Sequence, residues 1–246
     1  MDALQGHEIL RLWDLGQAQQ VSDPGALILS YGLRQQTPEE IDALLLGQRN
    51  ALLLKLRAAT FGDAMRCSAD CPACHVPLSF SLSASHLASR ADAPSEPQEP
   101  LEESYEALRV RFRLLRSGDV TAIASTSAAE TAAQDLFARC LVSTQDPSGL
   151  LTEQAPPPEL LSQIGARMLA EDPLAEILLN LRCAACGESW KAPFNVASCF
   201  FEELMAHGQR LLEDVLTLGR ACGWRVDDVL ALPPQRRRFF VEAVSR

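Results

Sequence analysis

Apolar residues recur at helical spacing through most of the chain and switch to two-residue alternation in only a few places. Ile9, Leu10 and Trp13 predict a short helix over about 8–13, ended by Gly16, and Ala26–Leu29 begin a second that stops near Gly32. Thr37-Pro38-Glu39-Glu40 combines a capping box with proline at the first helical position. It predicts a helix carrying Ile41, Leu44 and Leu45, broken by Gly47. Leu52, Leu53 and Leu56 mark a further helix over about 48–59. The strict alternation of Leu108-Arg-Val-Arg-Phe-Arg-Leu114 predicts a half-exposed strand, with Glu102, Glu103 and Glu106 near enough to pair with its arginines. Helices are predicted at about 119–125, 128–142 and 159–170, with 143–158 as a loop. The run Glu176–Arg182 reads as a strand. The longest helix is expected over about 197–220, with Phe201, Leu204, Leu211, Val215 and Leu218 on one face. A short helix at about 226–230 precedes a last one started by Pro233-Pro234, in which Phe239 and Phe240 are expected to pack inward while Arg236, Arg237 and Arg238 meet the protein's own acids.

Two stretches within this pattern resemble copies of each other. Cys71-Pro-Ala-Cys74 and Cys183-Ala-Ala-Cys186 each lead into a short alternating run. Laid over one another without gaps, Leu78 meets Trp190, Leu82 meets Phe194 and Ser83 meets Asn195. Two residues between cysteines let both sulfurs of a tight turn face one ion, and two such turns supply the four soft ligands of a structural zinc site. The metal ligands expected are therefore Cys71, Cys74, Cys183 and Cys186, holding one structural Zn2+ per chain. The 108 residues between Cys74 and Cys183 make an unusually long loop. Closing it costs on the order of 4 kcal/mol, against roughly 10–16 kcal/mol from structural zinc. His75 follows the first knuckle and is read as a turn residue, because its counterpart is Gly187. Cys67 is a spare thiol, and Cys140, Cys199 and Cys222 are read as core residues.

The resulting fold class is α+β, mostly helical, with a zinc ribbon of two Cys-x-x-Cys β-hairpins brought together from distant parts of the chain. The division expected is an N-terminal helical unit over 1–60, a first knuckle hairpin over 61–90, a disordered acidic proline-rich linker over 91–107, a strand with a helical insertion over 108–172, a second knuckle hairpin over 173–196 and C-terminal helices over 197–246.

Composition narrows the function. The 246 residues carry a formal net charge of −10, opposite to the basic footprint of a nucleic-acid binder. No apolar run reaches the roughly 18 residues of a membrane span, and no signal-peptide pattern opens the chain. A cytoplasmic location follows, in which eight cysteines read as metal ligands and buried thiols rather than disulfides. No catalytic triad, carboxylate dyad or glycine-rich phosphate loop is present, so the catalytic set is empty and the chain reads as non-enzymatic.

The order of these features resembles a known family. Leu12-Trp13 is followed by Leu46-Gly-Gln-Arg-Asn-Ala-Leu-Leu and Ala59-Thr-Phe-Gly62. Both knuckles come next, the second with Trp190 four residues beyond its last cysteine, and Cys222-Gly-Trp224 with Val229-Leu-Ala-Leu232 and the Arg-Arg-Arg-Phe run close the chain. The pattern is similar to the T-even phage baseplate protein family found in phage-tail-like contractile injection gene clusters. It departs from that pattern at Cys222, where a Tyr or Trp is typical, and at Phe239-Phe240, where a Tyr is typical near the final aromatic. The resemblance implies a baseplate or hub component, or an assembly chaperone, whose partners are baseplate, hub or spike proteins and which can be incorporated in a phage-like particle. The alternative is a zinc-ribbon regulatory protein that binds nucleic acid or transcription machinery, which the charge opposes.

Overall fold

The computed structural model describes residues 2–18, 21–89, 100–106, 108–124, 131–146, 148–152 and 156–245. An N-terminal helical group comprises α1 (Gly6–Gln17), α2 (Pro24–Gly32), α3 (Pro38–Ala43) and α4 (Leu46–Phe61). Local chemistry sets its boundaries. Asp23 caps α2 by accepting from the backbone N–H groups of Gly25 and Ala26, and Thr37 and Glu40 close the capping box that starts α3. Gly47 does not break a helix as expected. It lies in the first turn of α4, where a Cβ would come within 1.8 Å of Asp172 Oδ1.

The first hairpin follows, β1 (Ala64–Asp70) against β2 (Pro77–Ser83), leading into α5 (Ala84–Ala88). The second hairpin pairs β6 (Leu178–Arg182) with β7 (Ser189–Pro193) and leads into α9 (Val196–Cys222). Between them lies a three-stranded antiparallel sheet of β3 (Leu101–Tyr105), β4 (Leu108–Phe112) and β5 (Leu141–Gln145), with α6 (Ser117–Ala124), α7 (Ala132–Cys140) and α8 (Pro158–Glu171). Two of these strands correct the sequence reading. β3 lies inside the stretch expected to be a disordered linker; residues 91–99 and 107 of that stretch lie outside the described residues. β5 begins where the helix over 128–142 was expected to continue and runs into the expected loop. Pairing supplied what local pattern did not: Glu102 faces Arg111 and Ser104 faces Arg109 across the β3–β4 ladder, and Glu102 bonds Arg109 diagonally at 3.1 Å.

Hydrophobic burial divides in two. The main core joins α1, α2, α4, α5 and α9 through Leu12, Ile28, Leu53, Ala84, Phe200 and Leu204, all at most 1 % exposed. A satellite core lies between the sheet (Val110, Phe112) and α8 (Leu160, Ile164). Three devices tie the satellite to the main core. Leu46 N–H donates to Leu115 C=O and Ser117 N–H to Leu44 C=O, at 3.0 and 2.8 Å. The buried Arg49–Asp23 pair receives Ser117 and Thr121 from α6. Asp172, just beyond α8, accepts the Gly47 N–H at 2.8 Å and so caps α4 from the far end of the insertion. At the C-terminal end, α10 (Val226–Leu230) and α11 (Pro234–Val244) pack on α9. Phe240 stacks edge-on against Trp224 at 5.0 Å, but Phe239 is 65 % exposed rather than packed inward, and the buried member of α11 is Arg237, bonded to Asp214.

Candidate metal centre

The two knuckles have the same backbone. In the first, Cys71 N–H donates to Val76 C=O and His75 N–H to Cys71 C=O, at 3.1 and 2.9 Å. In the second, Cys183 N–H donates to Glu188 C=O and Gly187 N–H to Cys183 C=O, at 2.8 and 3.0 Å. His75 and Gly187 occupy the same left-handed position, with φ of +58° and +81°. The correspondence continues past the hairpins. Ser83 Oγ caps α5 by accepting from His86 N–H, and Asn195 Oδ1 caps α9 by accepting from Ser198 N–H. Each copy is thus a hairpin, a cap and a helix, with Ser83 and Asn195 in corresponding places.

The bases of the hairpins are held by the main core. Met65 on β1 is buried, and Leu82, Leu179 and Phe194 pack against the same cluster. Arg57, buried in α4, donates to the backbone carbonyls of Gly62 and Ala64 and forms a two-pronged bond to Glu203 of α9. It therefore fixes the entry of β1 relative to the helix that leaves β7. Rooted this way, the tips converge.

At the tips, Cys71, Cys74, Cys183 and Cys186 place their sulfurs within 4.8 Å of one another. The closest approaches cross between hairpins: Cys71 Sγ to Cys186 Sγ and Cys74 Sγ to Cys183 Sγ, both 3.6 Å. Four sulfurs about 2.3 Å from a central ion would stand about 3.8 Å apart at the corners of a tetrahedron. The donor set fits a divalent metal ion in size and in chemistry. Cys71 and Cys183 are buried, whereas Cys186 is exposed. The Cys186 backbone N–H, joined by that of Ala185, favours the Cys183 thiolate and lowers its thiol to about 6. Cys186 receives the Glu188 N–H, but the neighbouring sulfurs of Cys74, Cys71 and Cys183 prevail and push it up to about 12. Cys74 receives the Val76 N–H, which lowers it, but desolvation with Cys183 and Cys71 outweighs that and raises the thiol. Four thiolates this close repel unless a cation lies among them, and a dication supplies the missing charge.

The other candidate residues separate from this cluster. His75 is a turn residue, and the metal-competent group consists of the four cysteines alone among the described residues. Cys67 and Cys199 lie side by side, half-buried, and burial raises both, Cys199 to about 12. Cys140 is fully buried as expected, but Cys222 is exposed at the end of α9 and is no core residue. The residues that orient the hairpins, Arg57 with Glu203 and Asp172 with Gly47, were missed by sequence reasoning. Their partners are 146 and 125 positions away, and no local signal joins them.

No helix among the described residues is long and apolar enough to cross a membrane. No curated protein and no solved structure matches the chain. A family model described as T4 bacteriophage base plate protein matches residues 32–202, a span that contains both knuckles and all that lies between them. With that match over more than half its length, the chain belongs to the T4 bacteriophage base plate protein family.

Proposed function

We propose that this protein is a non-enzymatic part, or an assembly chaperone, of the baseplate or hub of a phage-tail-like contractile particle, clamped by one structural zinc ion on Cys71, Cys74, Cys183 and Cys186. The observation that carries this reading is the convergence of those four sulfurs, within 4.8 Å, in a chain of a baseplate family. Zinc suits an all-thiolate tetrahedron, and four protein ligands leave no open position for water or substrate, which supports a structural role over a catalytic one. The stretches 61–90 and 173–196 act in this reading as two halves of one clip, with the insertion displayed between them. Its partners are other baseplate, hub or spike proteins.

The test is mass spectrometry of what co-purifies with the tagged protein from its own host, beside the protein content of finished particles. Baseplate or spike proteins in the pull-down, with this chain absent from particles, would assign a chaperone; presence in both would assign a structural part. Polymerase or nucleic acid in place of tail proteins would overturn the assembly reading. Independently, metal analysis should give one zinc per chain, and cobalt substitution a tetrahedral all-sulfur spectrum.

A further inference from the structure

A cavity of about 960 Å³ opens on the side of the molecule where the first turn of α1, the end of α4, the start of β1, the middle of α9 and the α10–α11 junction meet. Its apolar lining includes Ile9 and Leu211, both almost fully buried, with Leu230 and Pro233 beside them. Its charged lining is cationic: Arg57, Arg66, Arg210 and Arg237 against the single acid Glu203. Two of these arginines are neutralised, Arg57 by Glu203 and Arg237 by Asp214. Arg66 on β1 and Arg210 on α9 are exposed and have no acidic partner among the described residues; Arg210 Nε donates only to the Ala206 carbonyl of its own helix. The first turn of α1, at Gln5 and Gly6, borders the same space, with the Gln5 N–H already donated to the Glu8 carboxylate. The cavity's charged lining is thus opposite in sign to the chain's net charge of −10.

We infer that this cavity is a docking site for an acidic peptide segment of a partner protein, its carboxylates held by Arg66 and Arg210 and an apolar side chain seated over Ile9, Leu211 and Pro233. A peptide fits better than a small anion for a physical reason. A small anion is held by buried, convergent donors, and the buried arginines here are already occupied by Glu203 and Asp214. The free cations are exposed and lie on two different elements, in a lining that also carries apolar side chains, which is the arrangement an extended segment alternating acid and apolar residues can satisfy. That the occupant belongs to a partner protein rests on the assembly reading above; the charge and shape of the cavity do not. Loss of the metal leaves this inference standing, and failure here leaves the metal reading standing.

The test uses the full chain and a fluorescein-labelled peptide alternating glutamate and leucine, followed by fluorescence anisotropy at low and high salt, with a lysine–leucine peptide as control. Saturable binding of the acidic peptide, weakened by salt, is expected. The double variant Arg66→Glu with Arg210→Glu should weaken it by about tenfold or more, while Arg109→Glu, on the far sheet, leaves it unchanged. Both replaced side chains are exposed, so an unchanged Tm is expected; should the reversal unfold the chain, Arg66→Gln with Arg210→Gln carries the same comparison. Equal binding by parent and double variant, or no binding by the parent, would overturn the inference. So would displacement of the peptide by inorganic phosphate at matched ionic strength, which would mark a small-anion pocket instead.

Discussion

Single residues carry the joints of this fold. Gly47 lets the Asp172 carboxylate reach the start of α4, and a methyl group there would meet Oδ1 at 1.8 Å. Gly47→Ala is therefore expected to lose about 1–3 kcal/mol in urea denaturation, as overpacking does. Asp172→Ala leaves the buried Gly47 N–H without an acceptor and should cost about 1–3 kcal/mol. Asp172→Asn behaves differently, because burial raises the Asp172 pKa while the asparagine oxygen can still accept from Gly47. A carboxyl with a raised folded pKa contributes stability below its unfolded value and loses it as pH rises through the folded one, so the neutral amide should match or exceed the parent at neutral pH. Asp119 has the opposite sign. Burial alone would raise it, but the Arg113 guanidinium and the Arg116 N–H outweigh burial and hold it below its ordinary value of 3.8. Its contribution is present above that value and lost as pH falls through the folded one, so Asp119→Asn should flatten the acid limb of a Tm-against-pH profile.

At the scale of elements, the knuckle is the unit that recurs. Matching hydrogen bonds, a matching left-handed position and matching caps follow from a matching arrangement of cysteines and strand residues. His75→Gly should accordingly retain the metal and shift stability by no more than about 1 kcal/mol, since the second knuckle has glycine there. Loss of zinc in that variant would make His75 a ligand and the four-cysteine set wrong. Where an element depends on a distant partner, local pattern misleads. β3 is acidic and was read as linker because its partner residues, Arg109 and Arg111, lie on the next strand. On α9 the helical face was read correctly at Leu204, Leu211 and Leu218, but Phe200 rather than Phe201 takes the buried place; hydrophobicity alone does not separate neighbours about 100° apart.

For the molecule as a whole, the metal is expected to join two halves that also share other ties. Cys71→Ser or Cys183→Ser should abolish stoichiometric zinc and lower the Tm. A chelator should do the same to the parent and have no further effect on the variants. Because Arg57–Glu203, Asp172–Gly47 and the Asp23–Arg49 network persist without metal, the helical core is expected to survive chelation with much of its far-ultraviolet signal. Asp23→Ala tests that network separately: it strands the buried Arg49 and should cost about 3–5 kcal/mol.

The sequence by itself determined most of the helices, the Thr37 capping box, the paired knuckles and the identity of the four cysteines, because each of these is written within a few residues by spacing, capping chemistry or repetition. Only the tertiary structure decided that β3 and β5 pair with β4, that Arg57 with Glu203 roots the hairpins, and that Asp172 and the Arg49–Asp23 pair tie the insertion to the main core. Those outcomes depend on partners distant along the chain. Burial selects such partners jointly, by excluding water from paired charges and backbone groups, and no window of local sequence contains both members of the pair.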